Sequence, residues 1–234
     1  MNKLVACAVM SMIRGKGNRM GSEQLIQHWV LLGTAEASQT AFGLREIDFP
    51  CGYSMPYLSY TDESVCLNRP RSDEAFALAG FTLELNAGGK LISTEAAIDC
   101  VAGYRPWLCV FGHALLDELT ERRHTITTWD EGVSIFYGLW RENCQSLGEL
   151  IPADEFNSHL SKPLSLVCGD EQKDCLPSSY NLNAGQIIQF YSKFLTLNEG
   201  DRFVLGPLVA MPLPKAVGEI SWAWNGITFS KTVS

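Results

Sequence analysis

The sequence predicts a mostly β protein with a few short helices, of the α+β class. Several apolar runs have the length of strands, and turn signals such as Asn86-Ala87-Gly88-Gly89 separate them. Stretches with helical spacing are few and do not alternate regularly with the strand-like runs. A parallel α/β sheet needs that alternation, so the pattern favours a β-rich fold.

The first quarter of the chain contains one strand signal and one helix signal. Residues 4–12 form a short apolar run that predicts a strand. Residues 22–32 place Leu25, Ile26, Trp29 and Val30 at helical spacing, and Ser22 is a suitable N-cap, so we expect a short helix there. Residues 33–60 are rich in turn residues and predict irregular structure.

The middle of the chain begins with a mostly apolar run at residues 76–85, which predicts a strand. Ser93 and Thr94 before Glu95 form a helix start, and that helix should end before Gly103. Residues 104–116 are apolar throughout. Such a run fits a buried strand or a buried helix, and its spacing does not distinguish them.

The last part predicts a helix, a turn and three strands. Residues 187–195 have the apolar spacing of an amphipathic helix, and residues 197–201 form a turn in which Asp201 can bond local amides. A strand should follow at residues 202–205. The alternation within residues 217–233 predicts two final strands.

Composition limits the class of partner. The chain has 234 residues and 46% apolar residues, enough to bury a sizeable core without a stapling metal or disulfide. A net charge of −8 argues against nucleic acid, and no apolar run approaches the length of a membrane span. The eight cysteines are scattered and form no C-x-x-C pair, as expected in a reducing compartment. We therefore expect a soluble cytoplasmic protein that binds neither nucleic acid nor membrane.

Four segments follow one another in a recognisable order. They are residues 93–104, which end in Val-Ala-Gly-Tyr, residues 129–133, residues 148–155, and residues 187–201, which end in Gly-Asp. In this order they resemble segments of the fumarylacetoacetate hydrolase family. The resemblance covers about residues 55–234 and implies a mixed β-roll that forms homodimers. Residues 1–54 match weakly and are treated as an N-terminal strand and helix region.

The resemblance also implies a reaction and a cation. Members of the family act on 1,3-dicarbonyl and 2-oxo acids through an enolate, with Mg²⁺ or a similar ion held by an E-x-E on one strand and an aspartate. Here the E-x-E position reads Thr82-Leu83-Glu84, the aspartate position is Cys109, and a family arginine is His113. One carboxylate beside a thiol is a poor cage for Mg²⁺, so we expect no resident metal, although Mg²⁺ or Zn²⁺ stays an alternative.

If this alignment holds, Glu84, Cys109 and His113 are the candidate catalytic residues. Cys109 and His113 would pair as thiolate and imidazolium, or His113 alone would act as the base. Trp107, Trp129, Asp130 and Gly206 are the candidate residues that bind a small-molecule substrate. The competing interpretation is that Cys109 and His113 only pack in the core. A carboxylate pair elsewhere, Glu46/Asp48 or Asp117/Glu118, is a further alternative.

Two classes of function follow. The first is an enzyme that handles a β-dicarbonyl, 2-oxo acid or polyketide-like substrate through an enolate without Mg²⁺, by tautomerisation, decarboxylation, C–C cleavage or cyclisation. The second is a non-catalytic binding or partner subunit that keeps the fold. An ordinary metal-dependent hydrolase would require a misaligned site. An enzyme should keep a concave pocket with convergent polar groups, whereas a scaffold can fill it with side chains.

Overall fold

The structure, a computed structural model, describes residues 28–31, 36–43, 52–55, 60–61, 66–72, 74–180 and 183–234. Its strands, numbered in chain order, are β1 (His28–Leu31), β2 (Gly52–Met55), β3 (Tyr60–Thr61), β4 (Ala75–Leu85), β5 (Val101–Gly112), β6 (Gln145–Leu147), β7 (Ile151–Pro152), β8 (Leu164–Cys168), β9 (Glu171–Cys175), β10 (Arg202–Pro212), β11 (Glu219–Trp224) and β12 (Ile227–Thr232). Its helices are α1 (Glu36–Phe42), α2 (Thr94–Ile98), α3 (Ala114–Glu121), α4 (Thr128–Leu139), α5 (Ala153–Ser158) and α6 (Ala184–Ser192).

The strands form two sheets. The larger is mixed and runs β2-β1-β10-β4-β5-β6-β3, with β7 also paired to β5. Its centre is antiparallel, because β4 pairs with both β5 and β10, while β1 lies parallel to β10. The smaller sheet runs β12-β11-β8-β9. This arrangement confirms the predicted fold class of mostly β structure with short helices.

The two faces of the larger sheet cover two different cores. Side chains that alternate along β4 send Phe81 and Leu83 toward the smaller sheet, where Phe81 packs edge-on against Trp222 and Trp224. The indole nitrogen of Trp222 donates to the carbonyl of Gly80 at 3.0 Å, which ties the two sheets together. The opposite face, with Leu78, lies in a smaller apolar cluster that includes residues of α1 and α4.

Several predicted elements are confirmed. The strand expected at residues 76–85 is β4, the last two strands are β11 and β12, and the helix expected at residues 187–195 is α6, which starts three residues earlier. The Ser93 hydroxyl accepts from the amide of Ala96, so it caps α2 as expected. Asp201 accepts from the amide of Asn198 at 2.8 Å and closes the turn before β10.

The undecided run at residues 104–116 is divided between a strand and a helix. It continues β5 as far as Gly112, and α3 begins at Ala114. The strand pairs with β4 on one side and with β6 and β7 on the other, and both of its faces are buried at its centre. A strand buried on both faces has a continuous apolar run, which explains why its spacing was not informative.

The helix predicted for residues 22–32 is wrong where the structure describes it. His28–Leu31 is the strand β1, held between β10 and β2. All four of its residues are buried, so neither face of the strand needs polar residues. The spacing of apolar residues such as Trp29 and Val30 therefore did not distinguish a strand from a helix. Residues 22–27 and the strand predicted at residues 4–12 lie outside the described residues.

Two further observations bear on the predicted organisation. β1 and β2, within residues 28–55, belong to the same sheet as β10, β4 and β5. Among the helices that the structure describes, none is long and apolar enough to cross a membrane.

Candidate functional site

Cys109 lies on the face of β5 that points into the smaller cluster. Leu78 is directly across from it on β4, and Phe76 lies two residues along that strand on the same face. Trp107 and Phe111 flank Cys109 on β5, and both are buried. Burial raises the pKa of the Cys109 thiol well above its usual range, and the contacting thiol of Cys144 raises it further. Cys109 is therefore a neutral thiol in an apolar setting.

Glu84 lies near the other end of β4, opposite Gly103. Its carboxylate accepts from Nε of Arg105 at 2.6 Å, from Nη2 of Arg105 at 3.2 Å and from Nε of Arg202 at 2.5 Å. Burial raises the pKa of Glu84, but the two guanidinium groups outweigh that effect and hold it below its ordinary value. Glu84 is therefore an ionised carboxylate between two cations.

His113 lies just beyond the end of β5 and links two helices. Its Nε2 is 3.1 Å from the carbonyl of Ala41 in α1, and its Nδ1 is 3.2 Å from the hydroxyl of Ser134 in α4. A carbonyl only accepts, so Nε2 carries the proton and Nδ1 accepts from Ser134. Burial lowers the pKa of His113. These bonds favour the interpretation of His113 as a packed core histidine.

The structure does not bring the three predicted catalytic residues together. Cys109 lies six residues along β5 from Gly103, the partner of Glu84, and this is about 20 Å at the rise of a strand. His113 lies farther in the same direction. The predicted grouping of Glu84, Cys109 and His113 is therefore wrong, because the E-x-E segment was aligned six residues away from the position that faces Cys109.

The same register tests whether the residues fit the family's cation. Donors that share a Mg²⁺ ion with position 109 must each lie about 2.0–2.1 Å from the ion, so they must come from neighbouring positions on the same face. Across β4 those positions are Leu78, Phe76 and Gly80, which have no oxygen in their side chains. Across β6 the position is Gln145, whose side-chain oxygen already accepts from the Trp107 indole and whose amide nitrogen donates to the carbonyl of Leu139. Among the described residues no three His, Cys, Asp or Glu side chains are grouped to hold a metal. The residues present do not fit the cation.

The four predicted substrate-binding residues are also dispersed. Trp107 is buried and its indole donates to Oε1 of Gln145 at 2.9 Å. Gly206 has φ +98°, which favours glycine, and its carbonyl accepts from the Tyr180 hydroxyl. Trp129 is exposed on α4. Asp130 accepts from the amide and hydroxyl of Thr127 and so completes a capping box at the start of α4.

The alternative carboxylate pairs give no better site. Asp117 accepts from the Ser72 hydroxyl at 2.6 Å, and Glu118 pairs with Arg122 one turn along α3. Glu46 and Asp48 lie outside the described residues. Two open clefts of about 530 and 450 Å³ lie on the described surface, and none of the seven predicted site residues lines either of them.

Apolar side chains occupy the space around position 109. The buried members of the smaller cluster come from four strands of the sheet, from the edge strand β2 and from the two covering helices. They are Val30, Ala37, Ala41, Phe42, Met55, Leu78, Trp107, Cys109, Phe111, Ile135, Leu139, Val204 and Ala210. Phe42 meets the ring of Phe111 edge-on at 4.8 Å, which is the geometry of a packed core.

A polar row at the opposite end of the same face was not predicted from the sequence. His28, Arg202 and Glu84 are directly paired across β1, β10 and β4. Arg105 lies on the same face of β5, two residues beyond Gly103, the partner of Glu84. Burial, together with the charge of Arg202, lowers the pKa of His28 to about 4, although the charge of Glu84 partly offsets them. His28 is therefore neutral near pH 7. Arg105 and Arg202 lie within mostly apolar strand sequences, and this pattern could have marked them as candidate site residues. Only the strand register shows that both lie beside Glu84.

Comparisons with known proteins were made by sequence and by structure. No family model matches the sequence, and no curated protein matches it. Among solved structures, the fumarylpyruvate hydrolase from Pseudomonas aeruginosa, solved with Mn²⁺ and pyruvate, has a TM-score of 0.70 and 17% identity, over 91% of this chain and 92% of that one. A protein from Yersinia pestis described as belonging to the fumarylacetoacetate hydrolase family has a TM-score of 0.71 and 16% identity, over 89% and 93%.

A third neighbour is the 5-carboxymethyl-2-hydroxymuconate delta-isomerase from Mycobacterium smegmatis, with a TM-score of 0.64 and 16% identity over 88% of this chain and 78% of that one. Hydrolases and an isomerase are thus among the structural neighbours. These TM-scores, over about nine-tenths of this chain, show that it shares their fold. This chain therefore has the fold of the fumarylacetoacetate hydrolase family.

Proposed function

We propose that this chain is a non-catalytic partner subunit that keeps the fumarylacetoacetate hydrolase fold without the family's cation. One observation carries the proposal: Leu78, which faces Cys109, is buried with Trp107 in an apolar cluster, and Phe76 on the same face packs against that cluster. A catalytic pocket needs space and convergent polar groups, and here side chains fill that space. We expect a pocket filled in this way in a protein that keeps the fold but no longer binds a substrate at that place.

The decisive experiment measures cation binding and turnover on the same preparation. Mn²⁺ titrated into the purified protein should release no heat of one-to-one binding, and a panel of 1,3-dicarbonyl acids should be consumed no faster than in buffer. The fumarylpyruvate hydrolase from Pseudomonas aeruginosa serves as the positive control. Cation-dependent turnover at about 1 s⁻¹ or faster, an ordinary enzymatic rate, would refute the proposal.

A second candidate function is favoured by the polar row. Neutral His28 is able to accept a proton, and the guanidinium groups of Arg105 and Arg202 are able to stabilise the negative oxygen of an enolate. A carbonyl-rich acid of the β-dicarbonyl, 2-oxo or polyketide type would then react without a metal. The assay above separates the two proposals: turnover that persists in EDTA and is lost in His28→Gln supports this one.

The proposed partner is a second copy of the chain, and an aromatic stripe on α4 supports it. The stripe consists of Trp129, Val133, Phe136, Tyr137 and Trp140; the exposed fractions of Trp129, Tyr137 and Trp140 are 56%, 52% and 41%. The other face of α4 is already buried on the sheet, so this helix is apolar on both sides. An exposed patch of this kind marks an interface in soluble proteins.

A two-fold dimer would pack the stripe of one copy against the same stripe of the other. The six described cysteines are free thiols, which supports a reducing compartment such as the cytoplasm.

Light scattering after gel filtration should therefore give twice the mass of one chain, and Tyr137→Lys should give the mass of a single chain. The introduced ammonium group would have to be buried at the centre of the contact, which costs several kcal/mol. Phe194→Lys, at an equally exposed aromatic outside the stripe, is the matched control and should stay dimeric. A monomeric wild-type protein, or a dimer that survives Tyr137→Lys, contradicts the proposal.

A further inference from the structure

The guanidinium group of Arg202 is only partly used by the fold. Its Nε donates to Glu84, and neither Nη1 nor Nη2 has a hydrogen bond to a described residue. Arg105 differs, because its Nε and Nη2 hold Glu84 and its Nη1 donates to the carbonyl of Gly148 at 3.1 Å. Arg105 therefore serves the fold with all three nitrogens. Within the described part of the chain, no residue bonds the outer edge of the Arg202 guanidinium group.

The polar row also has a surplus of positive charge. Two guanidinium groups meet one carboxylate, Glu84, and Arg202 forms no other ion pair with the described residues. His28 is neutral near pH 7 and adds no charge. The side chains of Arg105 and Arg202 are about four-fifths buried, so water solvates the surplus charge only in part. A largely buried cation without a full counter-charge is costly, and an anion that binds it reduces that cost.

We propose that Arg202 binds a small organic monocarboxylate at the open edge of the polar row. A planar fork with two free N–H edges matches a carboxylate, which accepts two parallel hydrogen bonds. The single surplus charge suits a monoanion better than a dianion such as phosphate. The inference concerns binding alone and does not depend on whether the chain is catalytic.

The experiment uses butyrate as the probe and butyramide as its neutral counterpart. Titration of the full chain, followed by the arginine side-chain and amide NMR signals, should give a dissociation constant in the millimolar range for butyrate, about the strength of one charge-assisted pair. Butyramide should cause no comparable shift. Phosphate should bind more weakly than butyrate at the same ionic strength. Equal shifts with butyrate and butyramide, or tighter binding of phosphate, would overturn the proposal.

If the proposal holds, substitutions of Arg202 and Glu84 change the affinity for butyrate in opposite directions. Arg202→Gln should weaken butyrate binding about tenfold, because the charge and the fork are both lost. Glu84→Gln should strengthen it about threefold, since a competing carboxylate is removed from the same guanidinium group. If Glu84, Arg105 and Arg202 had only a structural role, both substitutions would abolish any butyrate binding. Arg122→Gln is the matched control, because Arg122 also pairs with a glutamate but is exposed, and it should bind as the wild type does.

A folding check keeps these outcomes interpretable. Each variant is first compared with the wild type by circular dichroism. If Arg202→Gln does not fold, Arg202→Lys replaces it, since lysine keeps the charge but lacks the fork and should still bind clearly more weakly. The proposal is contradicted if Arg202→Lys binds butyrate as tightly as the wild type does, or if Glu84→Gln leaves the affinity for butyrate unchanged. Failure here leaves the partner-subunit proposal intact, because that one is tested by cation binding, turnover and mass.

Discussion

The free energy of unfolding should fall by about 3 kcal/mol between pH 7 and pH 4 because of His28 alone. In the folded protein the pKa of His28 is lowered to about 4, from the 6.5 of an unperturbed histidine. Below pH 6.5 the unfolded chain takes up a proton that the folded chain does not bind. Stability from His28 is thus fully present above pH 6.5 and is lost as the pH falls toward 4.

Urea denaturation at several pH values measures this loss. His28→Gln should flatten the profile between pH 6.5 and 4, whereas His124→Gln should not, because His124 is exposed. Glu84, whose pKa is lowered, adds a loss of the same sign only near and below its ordinary pKa, so the two contributions separate along the pH axis. A wild-type profile that is flat from pH 6.5 to 5 would contradict the buried neutral state of His28.

Trp107→Ala should destabilise the protein by about 3–5 kcal/mol, the usual cost of deleting a buried aromatic ring. Trp107 is fully buried in the same apolar cluster as Leu78 and Cys109. The substitution also removes the hydrogen bond to Gln145, whose Oε1 would be left without that donor. The measurement is the free energy of unfolding in urea, compared between variant and wild type.

The control for this prediction is Trp140→Ala, at a tryptophan that is exposed on the aromatic stripe. In the monomer it should cost less than about 1 kcal/mol, because little buried surface is lost. The contrast bears directly on function. If Trp107→Ala were as mild as Trp140→Ala, the cluster around Cys109 would be loosely packed, and the argument for a filled pocket would fail.

Short sequence patterns correctly predicted the strands and helices that are marked by a turn, a cap or an alternating face. The run at residues 76–85 followed by Asn86-Ala87-Gly88-Gly89 indicated β4, and the Ser93 cap indicated α2, because a cap and a turn are short-range features. The alternation of Ile220, Trp222 and Trp224 indicated β11, since one face of that strand is buried and the other is not. The landmarks at residues 187–201 pointed to the correct fold.

The site could not be predicted in the same way, because it depends on strand register. A shift of six residues in the alignment placed Glu84 beside Cys109, although their true cross-strand partners are Gly103 and Leu78. His28 was assigned to a helix, since a strand buried on both faces leaves no alternation to detect. Both errors concern residues that meet through pairing with distant strands.

By itself, then, the sequence determined the fold class and the local elements with a cap, a turn or an alternating face. Only the tertiary structure decided that Phe76 and Leu78 face Cys109, and that His28, Glu84, Arg105 and Arg202 form one polar row. The physical reason is that hydrogen bonding between strands fixes which side chains share a face, and this pairing joins positions more than one hundred residues apart, such as Glu84 and Arg202.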